Sequence, residues 1–248
     1  MTRRVRSIVL FVGLIGTAGF LLWGLSSTPS FGHYRGTYGI VLLHRAVPER
    51  HATNVVASVV FDYRGFDTVG EEFIFFASVI GVTLLLRRQR EERERSLSAE
   101  DRALGRTSDA VRVFVLALVG PTVLLGMYLV AHGQLTPGGG FQGGMVLGGG
   151  LLFVYLAGRL LVFRRVSPMG FLDFNEGVGA AGFVMIGLLG LVVTGAFLEN
   201  VLPLGQVGSI FSAGTIPLIN LSVGLEIAAG LVLVVHEFLE QTLFTRRR

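Results

Sequence analysis

Glu226 is the residue whose type and position most invite a chemical role. It stands ninth in the 18-residue apolar stretch Leu218–Val235. If that stretch crosses a bilayer, the carboxyl sits near mid-membrane, where an ionised side chain costs about 2.5–3.5 kcal/mol on insertion scales. Such a group is expected to be protonated, or paired with a cation or with a basic group on a neighbouring helix. Two readings follow: a proton or cation relay site, or a buried hydrogen bond between helices. Within the chain, His132 and Arg159 are possible partners, although they fall near opposite ends of their helices. A group on another subunit fits equally well. His236, Glu237 and Glu240 follow near the end of the same stretch. They read either as a polar route to the cytoplasm or as a solvated helix end.

A second constellation precedes another apolar run. Asn54, Asp62, Tyr63, Arg64, Asp67, Thr68, Glu71 and Glu72 put four carboxylates between positions 62 and 72. At a membrane entrance they would attract cations. Thr68-x-x-Glu71 also has the form of a capping box, in which hydroxyl and carboxylate satisfy the free backbone donors of a helix start. Asp67 is a further possible cap, and Arg64 can neutralise Asp62 or Asp67. Glu72 is less well explained by capping. Asp173-x-x-Glu176 repeats the box pattern, and there a helix cap is the expected role.

The third feature is His132-Gly-Gln-Leu-Thr-Pro137-Gly138-Gly139-Gly140-Phe141-Gln142-Gly143-Gly144. Three glycines after proline do not hold a stable helix. They permit tight turns and close backbone approach. The expected structure is a hairpin that packs against a neighbour or lines an ion path. No Gly-Lys-Ser/Thr follows, so a phosphate-binding loop is excluded.

These residues need helices to position them, and the composition says where those helices lie. Of 248 residues, 51% are hydrophobic and 15% charged. A soluble domain carries roughly 25% charge. Mean hydropathy is +0.66. Five stretches reach the roughly 20 apolar residues that a spanning helix needs: Val5–Leu25, Ala110–Ala131, Phe141–Phe163, Gly177–Leu198 and Phe211–Val235. Phe73–Leu86 joins them when Thr68–Glu72 leads in. Val55–Phe61 is too short and reads as an interfacial or re-entrant turn. The first stretch is expected to be a retained helix, since its run is longer than a usual signal core and no small-x-small cleavage site stands near Ser26.

Placing both termini in the cytoplasm puts 17 of the 21 arginines on that side and four outside, the bias expected of membrane proteins. The expected fold is therefore all-α, a polytopic membrane protein with six transmembrane helices in a 2 + 4 arrangement. Residues 1–90 form a two-helix module with a long outer loop. Residues 91–106 are a charged cytoplasmic linker, and 107–248 a four-helix domain. Glycine-rich helix faces, such as Gly13/Gly16/Gly19, Gly144/Gly148/Gly149 and Gly179/Gly182/Gly187/Gly190, suggest packing against further subunits.

Cysteine is absent, which removes disulfides and thiolate chemistry. The five histidines lack metal-ligand spacing. No nucleophile elbow is present. No catalytic residue, metal, cofactor or nucleic-acid partner is expected, and the chain does not read as an enzyme.

Two of these motifs resemble a known family. The stretch His132–Gly144 resembles the signature of the MnhB/MrpB subunits of the Mrp/Mnh multisubunit Na⁺(K⁺)/H⁺ antiporters, Pro-Gly-Gly-Gly-Phe-x-Gly-Gly between two helices. Gly214-Thr-Ile-Pro217 and Val223-Gly-Leu-Glu226 resemble the family's last helix. The likeness covers about residues 107–245. Thr53–Glu71 is similar to a small subunit of membrane-bound hydrogenases and to the C-terminal end of the large A-type antiporter subunit. The resemblance implies an accessory subunit in a prokaryotic cell membrane, assembled with large antiporter-like and small subunits in the bilayer. The transported ions would be Na⁺ or K⁺ and H⁺. Glu226, Glu71, Asp67, Glu72, His132, Asp62, Glu176 and His236 are the ion-path candidates. Pro137, Gly138, Gly139, Gly140, Phe141, Gly143 and Gly144 form the hairpin. A membrane arm of a hydrogenase or respiratory-type redox pump, and a scaffold without its own ion path, are the alternatives.

Overall fold

The computed structural model describes residues 3–26, 28, 36–86, 108–157 and 160–245. The linker 91–106 and Arg159 lie outside the described residues. Every regular element among the described residues is helical: α1 (Arg3–Ser26), α2 (Thr37–Arg50), α3 (Val55–Ser58, continued by a π turn over Val59–Tyr63), α4 (Gly65–Leu86), α5 (Asp109–Ala131), α6 (Gly140–Leu156), α7 (Leu160–Val166), α8 (Met169–Thr194) and α9 (Ile216–Thr245). Five helices are long and apolar enough to cross a membrane: α1, α4, α5, α8 and α9. The shorter apolar α6 has 17 residues, about 25 Å at the helical rise. The chain is a multi-pass membrane protein. Large apolar side chains such as Ile74, Leu84, Phe114, Leu124 and Val192 are exposed on its helices, as lipid-facing residues must be.

The chain forms two compact units. Residues 1–41 hold α1 and the first residues of α2. Residues 42–248 hold everything else, and α9 is their central post. More than half of its apolar stretch, 56%, is buried, against 11–22% for α4, α5 and α8. It packs on α4, α6 and α8. Two apolar clusters stack along it. One joins Ala57 and Phe61 to Phe183, Ile219, Val223 and Ile227. The other joins Val79 to Val154, Phe163, Leu172, Ala229, Val232 and Leu233. Each draws on residues before 90 and after 107, so both parts of the sequence build one core.

Glycine makes these contacts possible. A Cβ on Gly144 would meet the Gly224 carbonyl oxygen at 2.8 Å, and one on Gly143 would meet the Val130 nitrogen at 2.8 Å. On α8, Gly187 and Gly190 are closed over by Phe197 and by the backbone of Glu199. The glycine faces of α6 and α8 are thus largely used inside the chain, where the sequence suggested partners. Gly149 is the exception, with open space about it.

Several boundaries differ from the expected ones. The outer loop is not all loop: α2 occupies fourteen residues of it, burying Leu42 and Ala46 one turn apart. Pro48 conceals it in the sequence, but this proline lies near the helix end, where little of the helix depends on its missing N–H. Helix α8 begins at Met169, eight residues before the expected start, because Pro168 in extended backbone launches it. Helix α9 begins at Ile216 rather than Phe211. Before it, Ala213 and Gly214 take positive φ, and Asn200 supplies the cap: its Oδ1 accepts from Thr215 N at 2.9 Å and its Nδ2 donates to the Ala213 carbonyl at 3.1 Å.

Both capping boxes are also corrected. Helix α4 already starts at Gly65, so Thr68 lies inside it. Its hydroxyl donates back to the Val60 carbonyl at 2.5 Å, tying the π turn to α4. Asp173 and Glu176 sit one and two turns inside α8, and Glu176 is buried. Neither pair meets a free helix start.

Candidate functional site

Three carboxyls meet between the two apolar clusters. Glu226 on α9 is fully buried, Glu72 on α4 is 6% exposed and Glu176 on α8 is 5% exposed. The Glu72 and Glu226 carboxyls lie side by side and interact, and Glu176 is within electrostatic reach of Glu226. No donor among the described residues completes a hydrogen bond to either Glu226 oxygen or to Glu72 Oε2. A buried carboxyl that serves structure collects donors; these two have chiefly each other.

The closeness of α8 is set by Gly179. A Cβ there would lie 2.6 Å from Glu226 N and 2.7 Å from its Cβ. On the other side, α4 reaches α9 at Gly230, whose missing Cβ leaves room for Phe75 and Val79. Small residues on α8 and α9 therefore bring the carboxyl-bearing segments together.

Glu72 also lines a cavity of about 270 Å³, with Thr68, Glu71, Gly138, Gly139, Gln142 and Val223 among its other walls. That volume holds several waters. Glu71, next in sequence, is exposed on this cavity, and its charge reaches Glu72. A second void, of about 10 Å³, lies between Glu72 and α8 among Phe73, Phe76 and Phe183, room for about one water.

The hairpin forms the far wall of the cavity. Gly138 and Gly139 have φ of 152° and 144°, conformations that favour glycine. The Gly140 N–H donates to Asn220 Oδ1 at 2.7 Å. From the other side, Asn54 clasps the turn. Its Nδ2 donates to the carbonyls of Gly133 at 2.8 Å and Thr136 at 3.0 Å, and its backbone N–H donates to Gln134 O at 3.0 Å. Its Oδ1 meanwhile caps α3. Thr53 adds a bond to Leu135 O at 2.5 Å. Phe141 meets Phe75 edge-on at 6.4 Å. Gly143 and Gly144 set α6 against α5 and α9, while Pro137 is exposed. The two motifs of the sequence thus meet at one place.

Other candidates lie elsewhere. Asp67 is exposed and pairs with Arg64. Asp62 is held by Arg50 Nε at 2.8 Å and Asn200 Nδ2 at 3.2 Å. Burial pushes its carboxyl above the usual Asp range, and Arg50 opposes that shift. So Arg50, not Arg64, neutralises Asp62. Beside it, Tyr63 donates to Glu49 Oε2 at 2.7 Å. Burial and that bond push its hydroxyl up to about 12, while the same bond holds Glu49 below its usual range. His132 caps the end of α5 and stacks on Tyr128 at 4.3 Å. His236 is buried and stacked on Phe163 at 5.8 Å; it stands ten residues, about 15 Å, beyond Glu226. No group of residues able to hold a metal occurs among the described residues. Asn220, Asn200 and Ser222 were not singled out from the sequence. A buried Asn six residues before an intramembrane Glu was the available signal.

The chain matches two family profiles. Residues 110–233 match a family profile described as the domain related to the MnhB subunit of Na⁺/H⁺ antiporters. Residues 2–103 match the MbhE profile, which describes one of the subunits of MBH. An uncharacterised protein of Methanocaldococcus jannaschii is 28% identical over 237 residues, covering 86% of each chain. A Rhizobium meliloti protein described as a probable K⁺/H⁺ antiporter subunit, of type A/B, is 29% identical over 200 residues; the match takes in 72% of this chain and 20% of that protein. Among solved structures, a chain of the membrane-bound sulfane sulfur reductase, an archaeal respiratory membrane complex, aligns with a TM-score of 0.72 and 29% identity, covering 95% of this chain and 98% of that one. A chain of the Mrp complex from Dietzia sp. has the same fold, with a TM-score of 0.70 and 23% identity, over 96% of this chain and 26% of that one. The chain thus spans only about a fifth of the Rhizobium meliloti protein and about a quarter of the Mrp complex chain. It belongs to the family of domains related to the MnhB subunit of Na⁺/H⁺ antiporters.

Proposed function

We propose that the chain is an accessory membrane subunit of a multisubunit monovalent cation/proton antiporter, and that it lines part of the cation path. In this reading it crosses a prokaryotic cell membrane six times, α6 included, with both termini in the cytoplasm. Residues 1–90 and 107–248 are two modules joined by a charged cytoplasmic linker. The large antiporter-like and small subunits of the complex pack around them. In this reading the chain serves transport and not catalysis.

The observation that carries this reading is the buried Glu72–Glu226 pair, in which neither Glu226 oxygen nor Glu72 Oε2 meets a donor among the described residues, with Glu72 lining a cavity built by both modules. Two carboxylates cannot both stay ionised side by side in a dry site. A proton or a monovalent cation that neutralises one of them lowers the cost of burial. Glu72, which lines the cavity, can therefore exchange one for the other. Glu71, exposed in the same cavity, raises the local cation concentration. Asp62 and Asp67, each held by an arginine, shape the outer surface. The hairpin glycines let backbone approach the cavity.

The solved respiratory complex favours a second reading, in which the same residues serve the membrane arm of a redox-driven ion pump. Purification of the tagged chain in mild detergent, with mass spectrometry of its partners, separates the two. Large antiporter-like subunits without iron–sulfur proteins are expected. Redox subunits in the preparation would move the chain to the second reading, and a chain stable alone would contradict both.

A further inference from the structure

The cavity stops at Glu72, but the polar groups do not. Beyond it lies Glu226, fully buried, and beyond Glu226 lies Glu176 on α8. Asp173, three residues nearer the start of α8, is half-buried, and residues three apart are neighbours on a helix surface. We infer that Glu72, Glu226 and Glu176 form a relay that passes protons, and not cations, between the outer cavity and the cytoplasmic half of α8. The inference rests on the transport reading above and names the ion that its buried part carries.

Space decides the ion. The cavity at Glu71 and Glu72 holds several waters, enough for a hydrated cation. At Glu226 both carboxyl oxygens are fully buried, and the backbone of α8 closes on the base of the side chain at Gly179. A bare cation would need several oxygen ligands there, and the groups that act on the Glu226 carboxyl are two other carboxyls, Glu72 and Glu176. A proton needs only the next carboxyl, or one water between.

The charged and titratable groups facing Glu226 among the described residues are few. Helix α4 presents Glu72, with Glu71 behind it, and α8 presents Glu176. Helix α6 faces α9 with Gly140, Gly144 and Gly148. On α9 itself, His236 and Glu237 are about 15 Å away. Each hop breaks an O–H bond on one carboxyl and forms one on the neighbouring carboxylate, so the charge of the trio is unchanged by the hop.

The test uses the whole complex in proteoliposomes. Proton flux is read with an entrapped pH dye, and cation binding at equilibrium with radioactive sodium or rubidium. Glu226→Gln and Glu176→Gln are expected to cut proton flux by about tenfold or more, with cation binding within about twofold of wild type. Glu226→Asp, which keeps a titratable group, is expected to restore part of the flux. Glu71→Gln is expected to weaken cation binding. Size-exclusion profiles confirm that each variant complex is intact. The relay is overturned if Glu226→Gln or Glu176→Gln in an intact complex leaves proton flux within about twofold of wild type. It is equally overturned if Glu226→Gln abolishes cation binding. A wild-type complex that moves protons but exchanges no cation would refute the antiporter reading alone, and the Glu226→Gln comparison would still decide the relay.

Discussion

Tyr63 and Asn54 show how single side chains hold the segment that leads into α4. The Tyr63 hydroxyl is pushed up to about 12 by burial and by its bond to Glu49. A group that binds its proton more tightly when folded gives stability that is complete below its unfolded value, near 10, and lost as pH rises through its folded value. The chain has no lysine and only four other tyrosines, so few groups share that window. Thermal unfolding of the purified protein is expected to show a midpoint that falls between pH 10 and about 12, and a smaller fall in Tyr63→Phe. Equal slopes in the two proteins would contradict the assignment. Asn54 bonds two hairpin carbonyls and caps α3. Asn54→Ala leaves those partly buried groups unmet, at a cost of about 1–3 kcal/mol, readable as a lower unfolding midpoint. An unchanged midpoint would mean that the clasp is idle.

At the scale of elements, glycine decides how near the helices come. Gly179→Ala would drive a methyl group into the backbone of α9 beside Glu226, where nothing flexible can yield. Overpacking of this kind costs about 1–3 kcal/mol. Gly149→Ala on α6 meets open space and is expected to be neutral or slightly stabilising, since alanine favours the helix by about 1 kcal/mol. Yields of folded protein in detergent, compared for the two variants, check this contrast. Equal yields would show that the α8–α9 approach tolerates a side chain. The long apolar helices were legible in the sequence because length and hydropathy alone define them. Their ends were not, because Pro168 and Asn200 set them, the latter from a loop before α9. Helix α2 was missed because its burial is confined to a narrow stripe and Pro48 interrupts its pattern.

For the molecule as a whole, the sequence singled out Glu226 through its place in the middle of a long apolar stretch, and both motifs through their residues. It placed Glu71 and Glu72 together without telling which faces inward. The structure separates them: Glu72 is buried against Glu226 and Glu71 is exposed. The difference arises because successive residues point about 100° apart on a helix, and α4 starts earlier than the capping pattern implied. The meeting of Glu72 with Glu226 joins positions 154 residues apart in the sequence, a juxtaposition that local patterns do not carry.

In the proposed function this pair lies on the path of the exchanged ions. The most direct test is cation-dependent proton exchange in everted membrane vesicles containing the whole complex, with wild-type chain or Glu72→Gln. The variant keeps shape and removes the charge, and intact assembly is verified by co-purification. Exchange is expected to fall by about tenfold or more in the variant. Exchange equal to wild type in an intact complex would contradict the proposed function and leave the chain a scaffold.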